Sequence, residues 1–141
     1  MAGASYAGDV TSTEAWEMLA RETDAVLVDV RTEFEWRHVG VPRLEDLGKE
    51  VVTVSWQFYP DMRQNPEFVA ELRQKGVAPE AKLLLICRSG NRSKWAAQAL
   101  TVLGFERCYN VADGFEGPPD VEGRRGVIEG WQAAGLPWGQ G

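Results

Sequence analysis

Cysteine, histidine and net positive charge are all scarce in this sequence, and each shortage removes a class of function. Two cysteines, Cys87 and Cys108, cannot build a disulfide framework and are too few for a cysteine-based zinc site. The single histidine, His38, adds one donor at no metal-ligand spacing, so neither a metal nor another cofactor is expected. Lysine and arginine number 15 against 21 aspartates and glutamates, for a net charge of −6. Without a basic stretch, nucleic acid and anionic membranes are excluded as expected partners. No apolar run approaches the roughly 20 residues that span a bilayer. The start, Met1 to Val10, lacks the basic and apolar regions of a signal peptide, and the expected address is the cytoplasm.

What is present is the makeup of an ordinary folded domain. The chain has 141 residues, 44% hydrophobic and 26% charged, which suits one domain rather than a disordered or fibrous chain. Residues 11–138 are assigned to that domain, with an N-terminal tail over 1–10 and a C-terminal tail over 139–141. Nothing in the sequence demands more than a monomer or a weak dimer.

Strand and helix patterns alternate along the chain. Thr11 and Glu14 have capping-box spacing ahead of an apolar helical face, Ala15, Trp16, Leu19 and Ala20. Ala25 to Val30 reads as a buried parallel strand. Thr32 and Glu35 repeat the capping-box spacing and start a short helix that ends before Gly40 and Pro42. Val51 to Trp56 reads as a strand and Gln57 to Gln64 as an aromatic, irregular loop. Asn65 is then placed as the cap of a helix with Pro66 in its first turn. Leu83 to Ile86 is the most apolar run and reads as a central strand. A helix over Ser93 to Leu103, a strand over Phe105 to Val111, a loop over Asp113 to Gly126 and a last helix over Val127 to Ala134 complete the pattern. Strands joined by helical crossovers form a mostly parallel sheet covered on both faces, an α/β domain whose ligand sites lie at the carboxyl ends of the strands.

One segment carries chemistry. Cys87 stands where the LLLI strand ends and is followed by Arg88, Ser89, Gly90, Asn91, Arg92 and Ser93 before the next helix. A strand, a short polar loop and a helix N-terminus make an anion cradle, with backbone N–H groups and partial positive charge converging on one spot. A thiolate is the anion such a cradle favours, and Arg88, Arg92 and Lys94 add positive charge to an otherwise acidic chain. A buried cysteine serving only as a small hydrophobe would not need that loop composition.

Here the sequence resembles the single-domain rhodaneses, the sulfurtransferases. The resemblance rests on CRSGNRS at Cys87 to Ser93, on Asp29-Val30-Arg31 with Glu35 and His38, and on Gly104-Phe105 through Asn110 to Asp113-Gly114-Phe115, with a terminal GLPW. It covers about Thr11 to Trp138. It implies a five-stranded parallel sheet flanked by helices on both faces. It also implies a Cys87 that accepts a sulfane sulfur from thiosulfate or a similar small-molecule donor, holds it as a persulfide and passes it to cyanide or a thiol, a protein thiol included. Amides from Arg88 to Arg92 would stabilise the sulfur anion, and the guanidinium groups of Arg88 and Arg92 would hold the sulfonate end of the donor. The alternatives are a persulfide carrier or docking module without turnover, a degenerate domain used for protein binding, or a cysteine-dependent phosphatase or arsenate reductase. Four residues separate Cys87 from Arg92, one fewer than in the phosphatase loop, and the shorter loop suits a single sulfur atom.

The chain departs from the family where Asp113 replaces a glycine and where Gly117 to Gly126 is inserted ahead of the last helix. That insertion reads as a surface loop near the rim of the site. Asp29 and Arg31 either support the Cys87 loop or form a local ion pair, and Asp113 and Gly114 are expected to approach that loop. His38 is expected to be buried with a structural hydrogen bond. Cys108 is expected in the core, and Trp56, Phe58 and Tyr59 are candidates for the pocket wall.

Overall fold

The structure, a computed structural model, describes residues 5–140. In chain order its elements are β1 (Gly8–Val10), α1 (Ser12–Arg21), β2 (Ala25–Asp29), α2 (Glu33–His38), β3 (Val41–Pro42) and a 3-10 turn at Glu45–Leu47. They continue with β4 (Val52–Thr53), β5 (Gln57–Phe58), β6 (Arg63–Gln64), α3 (Phe68–Gln74), β7 (Lys82–Ile86), α4 (Asn91–Val102), β8 (Cys108–Val111) and β9 (Trp138–Gly139). Five strands form one sheet in the order β1-β8-β7-β2-β4. Every pairing in it is parallel, with Leu84 of β7 opposite Leu27 of β2 and Tyr109 of β8. This is the α/β architecture expected from the alternating pattern.

Strand alternation divides the core in two. On one face Val28, Leu83, Leu85 and Cys87 pack with Phe68 and Leu72 of α3 and with Ala96, Ala97 and Leu100 of α4. On the other, Leu27, Leu84 and Ile86 pack with Ala15 and Leu19 of α1, and with Phe115 and Trp131. The two-residue period of a strand sends Cys87 to the α3/α4 side, because Leu83 and Leu85 already face it. Both capping boxes form: Thr11 with Glu14 starts α1, and Thr32 with Glu35 starts α2.

Several boundaries differ from the sequence reading. Gly8–Val10 lies in the expected N-terminal tail yet pairs with β8, and Gly139 of the expected C-terminal tail pairs with Val41; residues 1–4 and 141 of those tails lie outside the described residues. Strands of two or three residues are too short to show a period. The loop at 57–64 contains the small antiparallel pair β5–β6. Helix α3 starts at Phe68 rather than at Asn65, whose side-chain oxygen accepts the Glu67 amide in a local turn.

The helix expected over 127–134 is absent. Two amides at its centre bond to distant backbone, Trp131 N to Gly114 O at 2.8 Å and Gln132 N to Phe115 O at 3.1 Å, and only a single turn forms, with Ala134 N donating to Gly130 O at 2.9 Å. Trp131, fully buried, covers the sheet face that a helix would have covered and donates its indole N–H to Pro137 O at 2.8 Å.

Candidate active site

Cys87 follows the last residue of the central strand β7, and the chain turns at once into α4. Its Sγ accepts the amide of Gly90 at 3.2 Å and the amide of Ser93 at 3.3 Å, and lies 3.1 Å from Ser93 Oγ. Helix α4 has no side-chain N-cap, so the sulfur takes the place a capping oxygen would have. The Ser93 hydroxyl is also 2.6 Å from Asn110 Oδ1, while Asn110 Nδ2 donates to Gly90 O at 3.2 Å and to Asp9 Oδ1 at 3.1 Å. One hydroxyl proton cannot serve both acceptors. A Cys87 thiol donates to Ser93 Oγ and leaves the hydroxyl proton on Asn110, whereas a thiolate accepts that proton's hydrogen bond.

The loop can close this tightly only because of two glycines. Gly90 has φ +102°, and a Cβ there would stand 2.3 Å from Ala112 O. Gly114 has φ +72°, and its Cβ would stand 2.3 Å from Arg88 O. The amides of Phe115, Glu116 and Gly117 donate to the carbonyls of Cys87 and Arg88 at 2.8–3.1 Å, which fixes the loop from behind.

Above the sulfur lies a cavity of about 610 Å³, within the size range of organic ligand sites. Cys87, Arg88, Ser89, Asn91 and Arg92 line it from the loop. Phe34, Tyr59 and Trp95, all about half exposed, form an aromatic rim. The two loop arginines differ. Arg92 is held in a two-pronged ion pair, Nη1 to Glu35 Oε1 at 2.7 Å and Nη2 to Glu35 Oε2 at 2.9 Å. Arg88 is 47% exposed and has only a loose 3.9 Å contact with Glu116. Spacing leaves open which of the two faces a donor; the fork of Arg92 is occupied by the Glu35 carboxylate, and the Arg88 guanidinium is the less engaged of the pair.

Burial works against the ionised form of Glu35, but the hydrogen bonds and charge of Arg92, helped by the Thr32 amide and Arg31, outweigh it and hold the carboxyl below its ordinary value. A carboxyl depressed in the folded state contributes stability that is fully present above its unfolded value of 4.5 and is lost as pH falls through the lower folded value. Glu35→Gln, which keeps an amide able to complete the Thr32 cap, is expected to be less stable than wild type at pH 7. The difference should narrow as urea midpoints are measured from pH 6 down through about 4. A gap independent of pH would contradict the ion pair's contribution.

The remaining candidates are placed more remotely. Asp29 and Arg31 are fully buried and pair with each other, Nε to Oδ1 at 2.9 Å and Nη2 to Oδ2 at 2.7 Å. Arg31 Nη2 also donates to Gly40 O at 2.7 Å, and its guanidinium stacks 4.2 Å over Phe115. They bind the end of β2 to the Gly40 turn and make no hydrogen bond to the Cys87 loop, so the ion-pair alternative is the one observed. Asp113 accepts the amide and hydroxyl of Ser12, both at 2.9 Å, which anchors α1; of these two residues it is Gly114 that approaches the loop. Burial pushes the Asp113 carboxyl up. His38 is exposed and packs at a 38° tilt against Phe34, ring centroids 4.3 Å apart, in contrast to the buried position expected. Of the aromatic trio only Tyr59 reaches the cavity, since Trp56 packs edge-on against Phe68. Cys108 is buried and its thiol, 3.2 Å from Phe105 O, is pushed up to about 12 by burial.

Glu35 in the cavity wall, Phe34, Trp95, Glu116 and Arg125 were not legible as site residues. Trp95 stands one turn further along α4 and the others come from other elements; only Glu35 carried a signal in the sequence, as a cap and as part of the family resemblance. Among the described residues no group of three or more His, Cys, Asp or Glu is arranged to hold a metal.

A family model described as the STR4 middle domain matches residues 7–141. The rhodanese-like domain-containing protein 4, chloroplastic, of Arabidopsis thaliana is 28% identical over 132 residues, which cover 93% of this chain and 25% of that protein. The chain belongs to the rhodanese-like family. The crystal structure of Rv0390 from M. tuberculosis matches it with a TM-score of 0.88 and 54% identity, covering 97% of this chain and 100% of that one. The solution structure of the polysulfide-sulfur transferase homodimer from Wolinella succinogenes shares the fold, with a TM-score of 0.61 and 21% identity over 92% of this chain and 76% of that one. In this rhodanese-like domain residues 117–126 fold back on the cysteine loop. The Gly117 amide donates to Arg88 O at 3.0 Å, and Arg125 lines the cavity above Cys87.

Proposed function

We propose that this rhodanese-like protein is a sulfurtransferase that moves a sulfane sulfur from thiosulfate or a similar donor to cyanide or a thiol. The reading is carried by one observation: the Cys87 sulfur sits where α4 has no cap and receives the Gly90 and Ser93 amides. Those donors favour negative charge on sulfur at no cost in reorganisation. In the first half-reaction the Cys87 thiolate attacks the outer sulfur of thiosulfate. The S–S bond of the donor breaks, a new S–S bond forms on Cys87, and sulfite leaves with the bonding pair. In the second, cyanide attacks the outer sulfur of the Cys87 persulfide, thiocyanate leaves, and the thiolate returns. The charges balance in both halves, and no proton or external oxidant is required.

The Arg92–Glu35 pair weighs against the phosphatase alternative, because the guanidinium that ends the loop is already paired with a carboxylate. The test is mass spectrometry of the intact protein after exposure to thiosulfate, followed by cyanide. One added sulfur on Cys87, discharged as thiocyanate over many cycles, is the expected result. Loading without repeated turnover would leave a persulfide carrier, and no added sulfur from thiosulfate or polysulfide would overturn the reading.

A further inference from the structure

Resting on that reading, we propose that Arg125, from the inserted segment, is a specificity-determining residue of this site. With Arg88 it forms a subsite for the anionic, sulfonate end of the sulfur donor. A doubly charged donor entering a protein of net charge −6 needs local cations. The cavity supplies three arginines against two glutamates, but Arg92 is committed to Glu35. Arg88 is left as a single guanidinium, half in solvent, and Arg125 is the other cation facing the same space.

Arg125 is held in position rather than loosely displayed. Its Nη1 donates to Gly117 O at 2.7 Å, and the Gly117 amide in turn donates to Arg88 O at 3.0 Å. On its other side the Gly126 amide donates to Glu116 O at 2.7 Å. The guanidinium itself and the backbone that follows Arg125 are thus tied to Gly117 and Glu116, which adjoin the cysteine loop, so the guanidinium keeps its place relative to Sγ. Among the described residues no carboxylate pairs with Arg125, and its remaining N–H groups stay available to a ligand.

Its neighbour Arg124 is the natural comparison. Arg124 points away into the tip of the segment, where Nε lies 3.1 Å from Asp120 Oδ2 and Nη2 2.9 Å from Glu122 Oε1. The Asp120 side chain also accepts the amides of Glu122 and Arg124 at 2.9 and 2.8 Å, and this closed turn holds the two arginines in different directions. One of the two adjacent cations is neutralised at the tip. The other is delivered to the cavity.

The experiment compares Arg125→Ala, Arg125→Lys and Arg124→Ala in the two half-reactions, which a ping-pong scheme separates. Arg125→Ala is expected to raise KM for thiosulfate about tenfold or more, the range for loss of a charged hydrogen bond, with KM for cyanide and kcat little changed. Arg125→Lys should recover part of the loss, and Arg124→Ala should behave as wild type. A second arm needs no turnover: benzenesulfonate, which lacks a transferable sulfur, is titrated as a protectant of Cys87 against iodoacetamide. Cys108, with its thiol pushed up to about 12, stays silent in that assay. Half-protection should need about tenfold more sulfonate in Arg125→Ala. If thiosulfate yields no transfer while protection still depends on Arg125, the anion subsite stands and the sulfurtransferase reading falls. The inference is overturned if the wild type shows no protection, or if Arg125→Ala leaves donor KM and protection within about twofold of wild type.

Discussion

Replacing Cys87 by serine is expected to reduce thiocyanate formation by on the order of 10⁴-fold or to background, while the protein stays folded. The side chain would keep the Gly90 and Ser93 amides as partners, since an oxygen accepts them as a sulfur does. A serine hydroxyl at neutral pH supplies almost no oxyanion, and an oxygen cannot hold sulfane sulfur in an S–S bond. The other thiol cannot substitute: Cys108 is buried and burial pushes it up to about 12. Circular dichroism should show the thermal midpoint of Cys87→Ser within a few degrees of wild type, which separates lost chemistry from lost structure. Residual transfer above about 1% of wild type would move the sulfur-carrying role away from Cys87.

The largest expected effect on stability is at Asp29. Asp29→Ala removes the only carboxylate that, among the described residues, bonds to Arg31, whose side chain is 0% exposed. What remains to the guanidinium is the Gly40 carbonyl and the face of Phe115. Burial opposes the Arg31 charge, and Asp29, with smaller help from Glu35 and Glu116, outweighs that opposition and raises its value further. Breaking such a pair from one side costs about 3–5 kcal/mol, a large part of the roughly 5–15 kcal/mol that holds a domain together. The thermal midpoint should fall by on the order of 10 °C. Asp29→Ala with Arg31→Met should lose less than Asp29→Ala alone, because both charges leave together. A midpoint within about 2 °C of wild type for the single variant would contradict a paired buried charge.

Local pattern and nonlocal bonding divide the legibility of this protein between them. The LLLI run, the two capping boxes and the alternation of strand with helix are signals within a few residues, and each corresponds to an element of the sheet or its cover. The segment 127–134 has a helical look, but the amides of Trp131 and Gln132 at its centre are drawn to carbonyls at 114 and 115, and tertiary bonding overrides propensity there. Gly8–Val10 was invisible for the opposite reason: a three-residue edge strand is defined by the neighbour it joins.

The same division runs through the site. The order of Cys87, Gly90, Arg92 and Ser93 along seven residues determines by itself that a strand ends in an amide-lined turn around sulfur, because backbone geometry over so short a span leaves few alternatives. Which cations face that sulfur was decided only by the tertiary structure. Glu35 stands 57 residues from Arg92 and yet occupies its fork, and Arg125 reaches the cavity from a segment folded back after β8. Charge pairing acts through space and takes no account of sequence separation, so the partner of a guanidinium is settled only when the chain has closed.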